Sequence, residues 1–327
     1  MSRKKVFSGL LVLMIVAVAL TACAAPAAPA ANAKKKIGFS VYDMQYGFFQ
    51  DMERGTKEAA EAAGYDYVLV DQKSSEATMV SATQDLINQG IDALIISPVK
   101  PDAMGPLVDA AKKKGIPVVV DDIGGGGTAY DVIVISNNAE GGVMGADYLD
   151  KAIKTTGNTS KKVASITCDP TAVYAWQRNV NFEKRIKELG YEVVASLNGN
   201  SKQELGYSLM KDVLSANPDV AGVFSCNDPM AVGAAQAIAD AGKSGVTDIP
   251  VVGFNADEIA LKAIQEGSMA ATVQQIPYDM GKMTVELATK LMNGEKLTFD
   301  NEAEREIYVP VKLITPENVD TLLKPAQ

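Results

Sequence analysis

From residue 37 onward, short runs of β-branched and other apolar residues alternate with longer stretches whose apolar positions recur at helical spacing. Ile37-Gly38-Phe39-Ser40-Val41 reads as a strand, and residues 48–63 read as the amphipathic helix behind it. Further strands are expected at 67–70, 93–96, 117–120 and 132–135, with a helix between most of them. Such alternation predicts a parallel sheet covered by helices, because parallel neighbours need the long crossover that a helix supplies.

The pattern restarts at 163–167 and runs on through strands at 191–194, 220–224 and 250–254. Gly64-Tyr65-Asp66 is echoed by Gly190-Tyr191-Glu192, and Ile116-Pro117-Val118-Val119 by Ile249-Pro250-Val251-Val252. Repetition of a whole unit predicts an α/β fold of two doubly wound parallel-sheet lobes. Beyond Asn255 the chain offers a helix, a strand at 270–273, a helix at 278–292 and a final strand near 306–313. These are too few for a third domain, so they are expected to complete the two sheets through a multi-strand hinge. The expected division is 35–136 with 276–305 for the N-terminal lobe, and 137–275 with 306–327 for the C-terminal lobe.

The leading residues do not share this pattern. Arg3, Lys4 and Lys5 precede an apolar run over 6–19 that is short for a transmembrane helix, so residues 1–22 read as a signal peptide. Leu20-Thr21-Ala22-Cys23 resembles the bacterial lipobox, which makes Cys23 the expected site of lipidation and the first mature residue. The Ala- and Pro-rich segment after it, within 23–34, has no apolar periodicity and reads as a flexible tether.

Charge and residue usage narrow the chemistry. The formal net charge is −9, and it becomes more negative once the three leader cations are removed, which disfavours nucleic acid as a partner. The chain contains no histidine, so the commonest general base and the commonest metal ligand are both missing. No nucleophile elbow and no metal-ligand spacing stands in their place, and neither an enzyme nor a cofactor or metal is expected. Gly242-Lys243-Ser244 follows a helical stretch rather than a strand, and reads as a helix C-terminus instead of a phosphate loop. Gly124–Gly127 precedes a strand and reads as a flexible loop at a cleft edge. Cys168 and Cys226 both fall at strand ends; two small buried thiols are the preferred reading and a disulfide the alternative.

Ligands of open parallel sheets bind outside the carboxyl ends of the strands. In this chain those ends carry Tyr46, Phe48 and Phe49 after the first strand and Asp121 and Asp122 after the fourth. The second half contributes Asp169, Tyr174 and Trp176, then Asn227 with Asp228, then Asn255, and finally Gln274 and Gln275. One of the two phenylalanines is expected to face the core, and Asn138 is read mainly as a helix cap, a role also open to Asp122 and Asn227. Rings that stack on C–H faces, combined with carboxylates and amides that pair with hydroxyls, suit a neutral polyhydroxylated ligand.

These residues, in this order, resemble the ribose-binding branch of the periplasmic sugar-binding proteins, the substrate-binding components of ABC importers, which share their core with lac-type repressors. The resemblance covers most of residues 35–314 and rests on Tyr46-Gly47-Phe48-Phe49, Ile116-Pro117-Val118-Val119, Ser136-Asn137-Asn138, Phe224-Ser225-Cys226-Asn227-Asp228, Val252-Gly253-Phe254-Asn255 and Ala271-Thr272-Val273-Gln274-Gln275-Ile276-Pro277. It implies stacking by Phe48 and Phe49, a cleft carboxylate at Asp122, polar contacts from Asn227 and Asn255, and a hinge glutamine at Gln275. Two departures bear on the ligand. Where members of the family carry arginines, this chain has Ile123 and Trp176, with Arg178 two residues beyond the latter.

The resemblance further implies a monomeric type I periplasmic binding protein whose lobes close on a small neutral monosaccharide, hexose or pentose, or on a polyol. It would deliver that solute to an ABC permease from outside the cytoplasm, touching the membrane only through the lipid on Cys23. A nucleoside or an autoinducer-like furanose is the alternative ligand, and a sensor the alternative recipient.

Overall fold

The computed structural model describes residues 34–170 and 172–323. The expected signal peptide, Cys23 and nearly all of the expected tether lie outside the described residues. Twelve strands and nine α-helices follow in strict alternation through most of the described chain. The first half runs β1 (Lys36–Val41), α1 (Gly47–Ala62), β2 (Asp66–Asp71), α2 (Glu76–Asn88), β3 (Ala93–Ile96), α3 (Gly105–Lys113), β4 (Val118–Asp121) and β5 (Val132–Ser136). The second runs α4 (Asn138–Thr156), β6 (Lys162–Thr167), α5 (Val173–Glu188), β7 (Glu192–Asn198), α6 (Gln203–Ala216), β8 (Gly222–Ser225), α7 (Asp228–Asp240), β9 (Val251–Asn255), α8 (Glu258–Gln265) and β10 (Ala271–Gln274). The chain then continues through α9 (Pro277–Met292), β11 (Glu306–Val309) and β12 (Lys312–Ile314).

The strands form two six-stranded sheets, ordered β11-β5-β4-β3-β1-β2 and β12-β10-β9-β8-β6-β7. The two orders correspond strand for strand, which is the duplication heard in the sequence. Central strands such as Ala93–Ile96 and Val118–Asp121 are buried at every position. Helices cover both faces, so these strands read as continuous apolar runs rather than as alternating ones. Separate apolar clusters fill each face of each sheet.

The end of the chain departs from the expected division. The single strand expected near 306–313 is two strands in different sheets: β11 pairs parallel with β5 of the first sheet, and β12 pairs antiparallel with β10 of the second. Glu306–Val309 therefore belongs with the first sheet, not with the C-terminal lobe. Pro310 separates the two strands; it has no N–H to continue a ladder, so the chain leaves one sheet and enters the other there. The chain crosses between sheets three times, after β5, after β10 and after β11.

Close helix packing depends on absent side chains at a few places. A Cβ on Gly281 of α9 would lie 2.1 Å from the Met52 carbonyl oxygen, and one on Gly55 of α1 would lie 2.1 Å from that of Tyr278. These two glycines let α9 return from the hinge and lie against α1.

The cysteines also correct an expectation. Cys168 and Cys226 are not two buried thiols but a disulfide, with Cα atoms 5.6 Å apart. The sheet order explains this: β6 and β8 are hydrogen-bonded neighbours with Ile166 opposite Ser225, so the residues just past their ends lie side by side. The bridge closes a 58-residue separation. Replacing both cysteines by serine is expected to lower stability by about 2–4 kcal/mol through the freed unfolded chain. Urea unfolding of the double variant beside the oxidised protein measures this; equal midpoints would show that the bridge adds nothing.

Candidate functional site

The first wall of the candidate site is built by the turn after β1. Asp43 is buried there and accepts hydrogen bonds from the Gln45 backbone N–H at 2.9 Å, the Gln45 side-chain amide at 2.8 Å and the Ser74 hydroxyl at 2.5 Å. These donors, Ser74 first, hold its carboxyl below the usual carboxylate range. With the turn fixed, its rings cluster. Tyr42 stacks on Phe49 at 5.0 Å between centroids, Phe48 meets Phe49 edge-on at 5.2 Å, and Tyr46 meets Phe49 edge-on at 6.5 Å. Phe49 is the phenylalanine that packs into the core, while Phe48 is half-buried and Tyr46 is exposed at the start of α1.

The end of β4 supplies the carboxylates. Asp121 shares the face of Val119, is wholly buried, and has no hydrogen bond on either oxygen. Burial, reinforced by the neighbouring Asp122, pushes its carboxyl well above the ordinary range. Asp122 has left-handed backbone, φ 68°, which asparagine and aspartate tolerate better than most residues. Burial pushes its carboxyl up to about 6, against the opposing pull of Arg178. No helix follows it, so it caps nothing. The glycine loop beyond is packed rather than loose: a Cβ on Gly125 would lie 2.2 Å from the Tyr130 ring, and one on Gly126 2.2 Å from the Pro101 carbonyl oxygen. The flexibility expected for Gly124–Gly127 gives way at those two positions to glycines chosen for close approach.

The opposing wall is organised by one buried guanidinium. Arg178, on α5, donates from Nε to Asn138 Oδ1 at 2.7 Å, and from Nη1 to the Cys226 carbonyl at 3.0 Å and Asn255 Oδ1 at 3.1 Å. Its Cζ lies over the Phe254 ring, 4.0 Å from the centroid. Burial lowers its pKa to about 10, which leaves it charged, and Asp122, Asp228 and Asp257 pull in the other direction. Asn138 is thus not the cap of α4. Asn137 takes that role, accepting from the Glu140 N–H, while Asn138 is buried and turned toward the arginine.

Other expected residues gather on this wall. Gln275, at the hinge, donates to Asn255 Oδ1 at 2.9 Å, and its own Oε1 is buried with no partner. Asn227 caps α7 by accepting from the Met230 N–H at 3.4 Å, and its Nδ2 lies 4.0 Å from the Cys168 sulfur. Asp169 sits partly buried just past β6, and Trp176 is partly buried in the first turn of α5. Asp228, named with Asn227 at its strand end, is fully buried. It accepts from the Thr272 hydroxyl at 2.6 Å and the Asp257 N–H at 2.7 Å, and burial raises it to about 7.

Two features join the walls. Asp122 and Arg178 sense each other's charge across the gap. Tyr174, at the start of α5, packs with the first-lobe cluster around Tyr130, and a Cβ on Gly124 would touch its ring at 3.1 Å. Burial and the facing Glu306 carboxylate push its phenol far up. The strand ends of the two sheets therefore meet at Asp122, Gly124, Tyr174 and Arg178.

Residues 37–296 match the model of a periplasmic binding protein domain. The chain belongs to the periplasmic binding protein family. It is 32% identical over 280 residues to the ribose import binding protein of Bacillus subtilis, covering 85% of this chain and 87% of that one. It is 29% identical over 296 residues to a xylitol-binding protein of Mycolicibacterium smegmatis, covering 89% of this chain and 80% of that one. A solved periplasmic ribose ABC transporter protein from Conexibacter woesei superposes with a TM-score of 0.80 at 26% identity, covering 90% of this chain and 96% of the other. Within the family the chain is ribose-binding-like, and its relatives are binding proteins of transport systems, not enzymes.

The raised carboxyls set the sign of a pH effect. Asp122 and Asp228 hold protons more tightly folded than unfolded, where aspartate titrates near about 3.9. The native state then binds more protons than the unfolded chain between about pH 4 and 7, so stability falls as pH rises through that window. Urea unfolding of the ligand-free protein should show a loss on the order of 3 kcal/mol between about pH 5 and 8, and a shallower loss for Asp122→Asn. A flat profile would show that these carboxyls are solvated.

Proposed function

We propose that this chain is an extracytoplasmic binding protein, anchored by lipid at Cys23, that captures a monosaccharide or polyol between its lobes and presents it to an ABC permease. The observation that carries the reading is that the two sheets face each other at their strand ends, where Asp122 of the first senses the charge of Arg178 from the second. Phe48 and Asp122 come from the first lobe, and Trp176, Asn255 and Gln275 from the second or the hinge. A solute touching both walls stabilises the closed arrangement by its extra contacts there, and a solute touching one wall does not. The relatives named for ribose and xylitol support the polyhydroxylated class, and the signal peptide and lipobox support the address.

Specificity in such a site comes from pairing. A hydroxyl or acceptor left unpaired on closure costs about 1–3 kcal/mol, so the pattern of partners selects the ligand more sharply than stacking does. Ile123 and Trp176 replace directional cationic donors with apolar surface, which argues for a hexose or polyol over ribose itself.

A panel of monosaccharides and polyols should include at least one that raises the melting temperature by several degrees at saturation and changes Trp176 fluorescence. Binding of nucleosides with none of the panel active would replace this reading with the nucleoside one.

A further inference from the structure

One side chain of the second lobe is docked in the first. Tyr174 stands in the first turn of α5, yet its ring packs on the apolar cluster around Leu107, Tyr130 and Ile133, whose other members all come from residues 68–133. The surroundings of its hydroxyl are first-lobe groups as well. Glu306 faces it, and Glu304 and Tyr130 lie close enough to act on it electrostatically. Glu306 is buried and held from its own lobe, its Oε2 accepting from the Tyr308 hydroxyl at 2.7 Å and from Asn301 Nδ2 at 2.9 Å. A neutral phenol facing that carboxylate has a proton to offer it.

The docked ring also lies beside the cleft. Gly124 is two residues past Asp122, and a Cβ there would lie 3.1 Å from Tyr174 Cε2, on backbone with φ 104° that glycine adopts freely and other residues rarely do. The loop thus carries no side chain where the ring enters. Tyr174 and Arg178 are four residues apart on α5 and share a helix face. That face therefore meets one loop twice, Tyr174 at Gly124 by contact and Arg178 at Asp122 by charge. Moving the second lobe away from the first would pull the ring from its cluster and expose apolar surface that is now partly buried.

We propose that Tyr174 is a latch between the lobes: docked in the first lobe, it favours the arrangement in which the walls face each other, and so sets how long a captured solute stays. The effect on the solute rests on the capture reading above; the effect on the lobes does not. A side chain that stabilises the closed form ahead of the ligand raises the fraction of binding-competent protein, so apparent affinity falls with that fraction when the side chain is lost. Because the groups that select the solute stay in place, the loss should appear as faster release rather than as altered preference among solutes.

Small-angle X-ray scattering of the ligand-free mature chain, produced without its lipid, tests the latch. Tyr174→Ala should raise the radius of gyration above that of the wild type, whereas Tyr174→Phe, which keeps the ring, should scatter like the wild type. Melting curves check that each variant folds; if the alanine variant does not, Tyr174→Gln, which lacks the ring but keeps a polar end toward Glu306, takes its place. Equal radii for the wild type and the ringless variant would overturn the latch, as would a phenylalanine variant as expanded as the ringless one. Stopped-flow release of D-ribose, D-glucose, xylitol and sorbitol, followed by Trp176 fluorescence, is the second readout. For each probe that binds, loss of the ring should speed release about threefold or more and leave the order of preference unchanged. Release at the wild-type rate would overturn the role in retention. Binding of none of the four would count against capture, and the scattering comparison, which needs no ligand, would still decide the latch.

Discussion

A single buried guanidinium holds the second lobe's wall in place. Arg178 collects a side chain at the start of α4, a main-chain carbonyl after β8, and a side chain at the end of β9, and sits over the Phe254 ring. Each of those partners comes from a different crossover, so their relative positions are fixed by one planar fork rather than by three separate loops. Removing the fork would leave Asn138 and the Cys226 carbonyl buried without a donor, which is the costly side of the hydrogen-bond balance. The disulfide reinforces the same corner by tying Cys226 to the end of β6.

These contacts all lie within the second lobe. Between the lobes the chain crosses three times, and the side chain of Tyr174 reaches over the divide. Lobes joined by a few crossings are the general arrangement in which a ligand touching both can favour a closed form. Asp122 on one wall answers Arg178 on the other, and among the described residues neither forms a direct ion pair.

Much of this was legible in the sequence because parallel sheets write themselves as buried apolar runs at regular intervals, and the duplicated pattern announced two of them. The strand-end positions were legible too, and of the residues read there Asp122, Arg178, Asn255 and Gln275 are tied to one another by charge or hydrogen bonds. What could not be read were relations set by sheet order. Cys168 and Cys226 looked like separate buried thiols because their pairing depends on β6 and β8 being neighbours. Asn137 and Asn138 look alike in a string, and only the turn into α4 decides which caps and which grips the arginine. Glu306–Val309 was placed with the wrong lobe because one apolar run conceals a change of sheet at Pro310.

A crystal structure of the protein with the tightest-binding member of the sugar and polyol panel tests most directly whether one small solute is held by both walls at once. The expected result is a ligand enclosed between Phe48 and Asp122 on one side and Trp176 and Asn255 on the other. A ligand bound outside that cleft, or touching residues of one lobe only, would contradict it.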